Sequence, residues 1–313
     1  MFLGLASGDA LGAPVEFVTS RNIIAHIDEL KNFRDNGIFP KGVWTDDTSM
    51  ALCLGDSLYE KQGYDSYDVM DKYLEWRDHG LNSFFNYGEG IGNQVDTALD
   101  EYESEPVVPV DKERVWSAGN GSIMRLAPII IATYDMKIQD VVYLSKISAR
   151  ETHYSEEAEA GTEIFGAMLY LALHGEKKEK ILSHEELLKY STGEVYNDIL
   201  SRIFSKPDCL SIELSDVSGY IVDALTIAIW GLYNHDNFEE GMLEVLKLGG
   251  DTDTNCAIYG QLAGAYYGVE NIPERWLGEN LYESEGIESM AENLLKMGEV
   301  KVLRTRFEED EKW

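Results

Sequence analysis

The chain has few cysteines, few basic residues and no long apolar run. Its three cysteines, Cys53, Cys209 and Cys256, are scattered, and none forms a CxxC pair. That excludes a disulfide framework and a thiolate zinc site, and it fits a reducing cytoplasm. Lysine and arginine total 26 against 57 aspartates and glutamates, a formal charge of −31. A surface this acidic repels phosphates at long range, which excludes general nucleic-acid binding. An anionic ligand would need local positive charge from a metal ion, an arginine or a row of backbone N–H groups. No stretch is apolar for long enough to span a membrane, and no signal-peptide pattern follows Met1. Alternating strand patterns, internal repeats and flexible linkers are also missing.

What remains is helix. With 313 residues, 44% of them hydrophobic, the chain can bury a large core. The spacing predicts a compact, single all-α domain over residues 1–313, with many helices and polar loops near one face. We take it as a monomer. Gly4, Gly8 and Gly12 recur every fourth residue of the first predicted helix, and Gly260, Gly264 and Gly268 repeat that spacing late in the chain. Glycine weakens a helix, so a glycine face predicts another backbone packed very close. A further helix is expected over 217–233, a polar connector over 206–215, and a frayed, charged tail over 304–313.

Polar residues concentrate at two distant points, Trp44-Thr45-Asp46-Asp47-Thr48 and Gly249-Gly250-Asp251-Thr252-Asp253-Thr254-Asn255. Each precedes a run that reads as a buried helix, so the spacing leaves two readings open. One is N-capping, which Thr and Asp favour. The other is an oxygen-only cation site, suited to Mg²⁺ or Mn²⁺ and drawn from Thr45, Asp46, Asp47, Asp251, Asp253 and Thr254. An EF-hand starting at Asp251 fails, because its sixth place is Cys256 and its twelfth Leu262. No HExxH or GxSxG is present.

Other residues are ambiguous alone. Glu16 lies between Val15 and Phe17, as a surface carboxylate or as one aimed into a site. Gly119-Asn120-Gly121-Ser122 precedes a helical run, and such a segment can make an anion-binding nest of N–H groups. Arg125 can pair with a phosphate or with a structural carboxylate. His153 sits just before a helix with Ser155 as its expected N-cap.

Five segments taken in order, GDALGAPVEF (8–17), WTDDTSM (44–50), GNGSIMR (119–125), THYSEEA (152–158) and GGDTDTN (249–255), resemble the ADP-ribosylglycohydrolases. That family includes the dinitrogenase reductase-activating glycohydrolase and the ADP-ribosyl-acceptor hydrolases. The resemblance spans nearly the whole chain. It implies two Mg²⁺ or Mn²⁺ ions, held by Thr45, Asp46 and Asp47 on one side and by Asp251, Asp253 and Thr254 on the other. It makes Glu16 and Asp47 the catalytic carboxylates, and it puts Gly119, Asn120, Gly121, Ser122 and His153 around the ADP-ribose. The implied reaction is hydrolysis at C1″ of ADP-ribose on a modified protein or a small conjugate. A non-catalytic ADP-ribose-binding relative and a phosphohydrolase with Asp251 as nucleophile are the competing readings.

Met1 stands almost at the first motif, which implies a shorter first helix than the family's. In the nitrogenase-regulating branch the 84–93 loop carries an Asp two residues before the Gly of its IGN, where this chain has Gly90 beside Glu89. That departure counts against arginine-linked ADP-ribose, and the acceptor stays open among arginine, serine, a nucleic-acid base and the acetyl group of O-acetyl-ADP-ribose.

Overall fold

The computed structural model describes residues 1–107, 118–204 and 217–307. Among them are sixteen α-helices, and the one sheet is a two-stranded parallel ladder of Tyr64–Asp65 with Val302–Arg304. One connected hydrophobic core runs from Phe2 to Val300. No helix is long and apolar enough to cross a membrane.

The centre of the fold is the contact between the helices Phe2–Gly12 and Thr252–Tyr267. Their glycines face each other. A methyl group on Gly4 would land on the carbonyl of Gly260, and one on Gly8 on the carbonyl of Cys256. Gly12 lies as close to the backbone of Thr252 and Asp253. Gly264 belongs to the seam, whereas Gly268 ends its helix with a left-handed φ of 84°. Ten of the eleven residues of Phe2–Gly12 are buried, so this short helix is wrapped on all sides. Around the pair pack Asp46–Lys61, Glu156–Leu173, Ile221–Asn234, Phe238–Lys247 and Ser284–Leu295.

Several expectations change. The helix expected from residue 217 begins at Ile221, and the connector expected over 206–215 lies wholly outside the described residues. The tail is not frayed as far as Phe307. Val302–Arg304 pairs with Tyr64–Asp65, Arg304 reaches Asp65 at 2.7 Å, and buried Arg306 reaches Glu151 at 3.1 Å. Charge alone suggested a solvated tail, but these arginines meet carboxylates on the fold.

A cavity of about 690 Å³ lies beside the start of Glu156–Leu173, and none of the candidate site carboxylates lines it. Glu163 does, and its carboxyl is pushed up to about 7, chiefly by burial and against the pull of Lys146. Between the unfolded value and 7 the native state holds a proton that the unfolded chain has released. The group therefore favours folding at low pH, and that contribution fades as pH rises through 7. Thermal melts should show Glu163→Gln gaining on the wild type from about pH 5 to about pH 8. Gly8→Ala should lower stability by about 1–3 kcal/mol, because neither facing backbone can yield; denaturant unfolding measures it.

Candidate active site

Three segments far apart in sequence converge at one end of the glycine seam. The first follows Gly12. Pro14 lies within a short 3₁₀ turn, Ala13–Val15, and Phe17 takes a left-handed φ of 60° while standing 77% exposed. That conformation costs on the order of 1–2 kcal/mol for a residue with a side chain. It is held by Phe17 N–H donating to the carbonyl of Gly250 at 2.7 Å, and by Gly250 N–H donating to Val18 at 3.3 Å. Gly249 and Gly250 both have left-handed φ, 75° and 73°, and a side chain on Gly249 would strike the carbonyl of Val18. The two strands of backbone thus lock together, and Glu16 is set beside the start of Thr252–Tyr267.

There the ligand oxygens of Glu16, Asp251 and Asp253 lie within 4.8 Å of one another. The third segment, Thr45–Thr48, opens the helix Asp46–Lys61. Thr45 holds the N-cap position, yet its side chain makes no cap bond. Asp9 caps this helix from outside. Its Oδ1 accepts from Thr45 N–H at 2.9 Å and Thr45 Oγ1 at 2.8 Å, and its Oδ2 accepts from Thr48 N–H at 3.0 Å and Thr48 Oγ1 at 2.6 Å. Asp46 and Asp47 are thereby relieved of capping. Their carboxyls feel Asp9 and Asp251 directly. The two oxygen-rich motifs therefore meet, as the cation reading requires and the capping reading does not. Asp9, which the sequence reading passed over, joins them; the signal was a lone carboxylate in an otherwise apolar glycine helix.

The electrostatics suit a cation. Burial raises the carboxyls of Asp46, Asp47 and Asp253 well above the usual range, and their mutual repulsion adds to it. Glu16 is pushed up to about 7 by burial first, then by Asp251, Asp9 and Glu89. Oδ1 of Asp47 is buried without a hydrogen-bond partner, and both polar atoms of the Asn255 side chain are in the same state. Orphaned carboxylate oxygen beside four other carboxylates is the donor set that a hard divalent ion satisfies. Thr254 is buried beside Asp253, whose Oδ1 accepts from Thr254 N–H at 2.9 Å.

The Gly119–Ser122 segment lies next to this centre, but as a 3₁₀ turn at Asn120–Ser122, not as a helix start. The next helix begins at Ala127. Asn120 donates from Nδ2 to Asp251 at 2.7 Å and from its backbone N–H to Gly219 at 2.9 Å. Ser122 accepts from Thr162 at 2.9 Å. His153 packs its ring edge on Gly119 and Gly121, where any side chain would collide with it. Arg125 follows the structural expectation, its charge acting on the buried carboxylate of Glu151. It is buried, lies over the Tyr73 ring at 4.8 Å, and donates to Thr152 Oγ1 at 2.6 Å. Its place in the core, reached through Met50 and Tyr73, keeps it from any phosphate. Gly90 covers the acid centre closely, since a side chain there would come within 2.7 Å of Asp46.

The family model described as ADP-ribosylglycohydrolase matches residues 1–302. The chain belongs to the ADP-ribosylglycohydrolase family. This glycohydrolase is 33% identical over 301 residues to the ADP-ribosylarginine hydrolase Tri1 of Serratia proteamaculans, covering 94% of this chain and 78% of that one. It is 29% identical over 280 residues to the ADP-ribosyl-[dinitrogen reductase] glycohydrolase of Rhodospirillum rubrum, covering 89% and 88%. Among solved structures, an ADP-ribosylglycohydrolase-related protein complex superposes with a TM-score of 0.78 at 36% identity, over 95% of each chain. The enzyme hydrolyses ADP-ribose from an acceptor, as its family does.

Divalent cation in large excess over its Kd should stabilise the native state by about 2–3 kcal/mol. Asp253→Asn should melt at or above the wild type in chelator, because repulsion falls, and should gain less when Mg²⁺ or Mn²⁺ is added. Paired thermal melts read both signs; equal destabilisation in chelator would leave Asp253 a purely structural role in the first turn of its helix.

Proposed function

We propose that the glycohydrolase works with two Mg²⁺ or Mn²⁺ ions held by Thr45, Asp46, Asp47, Asp251, Asp253 and Thr254. Glu16 and Asp47 are its catalytic carboxylates, and Gly119, Asn120, Gly121, Ser122 and His153 hold the ADP-ribose. The observation that carries this reading is the meeting of Glu16, Asp251 and Asp253 within 4.8 Å, beside the Asp46–Asp47 segment.

When bound, the ions supply Lewis acidity that fixes ribose hydroxyls and lowers the pKa of a water. Glu16, half-buried and facing the same centre, accepts a proton from the attacking water. The water oxygen bonds to C1″ as the bond to the acceptor breaks, and the proton passes on to the acceptor. Carboxylate charge stabilises the oxocarbenium character of C1″ meanwhile. Asp47, wholly buried, orients the inner face of the centre. The backbone of 119–122, bonded to Asp251 through Asn120 and packed against His153, receives the rest of the ADP-ribose in this reading.

We infer that the acceptor is arginine on a protein or a small conjugate. The similarity to an ADP-ribosylarginine hydrolase supports this, and so does Glu89, which puts negative charge beside Glu16 for a guanidinium to meet. The chain acts as a monomer in this reading, because one chain supplies every group at the centre. The unpaired, buried Cys53 and Cys256 support a cytoplasmic place.

ADP-ribosyl-arginine, ADP-ribosyl-serine, an ADP-ribosylated base and O-acetyl-ADP-ribose should be incubated with the enzyme, with and without chelator. Free ADP-ribose should appear from the arginine conjugate, only with metal, and Glu16→Gln should slow it by about 10²-fold or more. Release from another conjugate alone moves the acceptor. A phospho-aspartate trapped on Asp251 would replace the glycohydrolase mechanism with a phosphohydrolase one.

A further inference from the structure

The segment Arg150–Tyr154 is gripped more heavily than a helix connection needs. At its middle, Thr152 Oγ1 accepts from Arg125 at 2.6 Å and lies 2.8 Å from His153 Nδ1. A guanidinium only donates, so the Thr152 hydroxyl still has its own proton to give. Nδ1 is the acceptor that proton meets among the described residues. With that proton given to Nδ1, the ring carries its hydrogen on Nε2, the nitrogen that faces Gly119 and Gly121. Burial, with the Arg125 charge, drives the imidazolium pKa down to about 3, so the ring is neutral at any working pH. His153 is a neutral donor whose tautomer is fixed from behind.

The grip on either side comes from the end of the chain. Arg306 donates from Nε to the Glu151 carboxylate at 3.1 Å and from Nη2 to the Glu151 carbonyl at 2.9 Å. The other oxygen of that carboxylate accepts from Tyr64 at 2.5 Å and Ser66 at 2.7 Å. Phe307 stacks on Tyr154, ring planes 6° apart and centroids 5.8 Å apart. Gln94 fixes the carbonyl of Thr152 at 3.0 Å. The family match stops at residue 302, so Arg306 and Phe307 lie past it.

We propose that Arg306 and Phe307 are positioning residues for the ligand. By holding Glu151 and Tyr154 they keep His153 Nε2–H aimed across the Gly119–Gly121 turn at an oxygen of bound ADP-ribose. This rests on the reading of that turn and His153 as the ADP-ribose site.

The test uses the full chain and free ADP-ribose as probe, with Arg306→Ala, Arg306→Lys and Phe307→Leu. Calorimetry gives Kd, ¹⁵N spectra of the imidazoles give the His153 tautomer, and release assays separate KM from kcat. Arg306→Ala should raise Kd and KM about tenfold with kcat within about twofold, as for one misplaced hydrogen bond. Its His153 signal should change from pure Nε2–H to a mixture, and Arg306→Lys should recover part of both effects. Phe307→Leu keeps the apolar bulk, loses the stacking, and should act in the same direction; it decides the matter if Arg306→Ala does not fold. A lower melting temperature with unchanged Kd and unchanged tautomer overturns the proposal. If the wild type binds ADP-ribose but releases none from any conjugate, the catalytic reading fails, and Kd with the tautomer still judges the arm. If the wild type does not bind ADP-ribose, both readings fall.

Discussion

The distance at which two backbones can touch governs this molecule. Helices that meet through ordinary side chains stand about 8–10 Å apart. Phe2–Gly12 and Thr252–Tyr267 approach until glycines lie against carbonyls. That approach delivers Asp9 to the start of Asp46–Lys61 and Glu16 to Asp253. Widening the seam by a methyl group would separate the carboxylates along with the helices. Core packing and the chemistry of the centre are thus one constraint.

The arrangement works against stability elsewhere. Several carboxylates share a buried space, and one of their oxygens has no partner. Such groups are tolerated when charge is balanced by something bound to the native state alone. The strained backbone at Phe17 belongs to the same pattern, since it bends the chain so that Glu16 turns inward while Phe17 stands in solvent. With a formal charge of −31 the whole surface adds to this field, so it draws cations toward the centre and resists free anions.

Much of this was legible in residue order. The four-residue glycine spacing announced the seam, because no other physical use of glycine repeats on one helix face. The excess of Thr and Asp at 45–48 and 251–254 exceeded what capping requires. Periodicity located most helices, and Ser155 caps its helix by accepting from Ala158 at 3.1 Å. What stayed hidden depends on distant partners. Asp9 is the one carboxylate in a mostly apolar helix, and nothing local shows that its acceptors await donors at Thr45 and Thr48. Arg125 left a phosphate and a structural carboxylate open as partners, because nothing local shows the aromatic face and the threonine that bury it. Arg304 and Arg306 read as tail for the same reason.

The hydrogen bond from Thr252 to Gly12 joins residues 240 positions apart. During synthesis the opening helix must wait, with its apolar faces uncovered, until its partner has left the ribosome. Contacts so remote in sequence form slowly and leave such surfaces prone to mispairing meanwhile. A nascent chain stalled before residue 252 lacks Asp253 and the facing half of the glycine seam, so the hydrolase can act only once the helix Thr252–Tyr267 has been made.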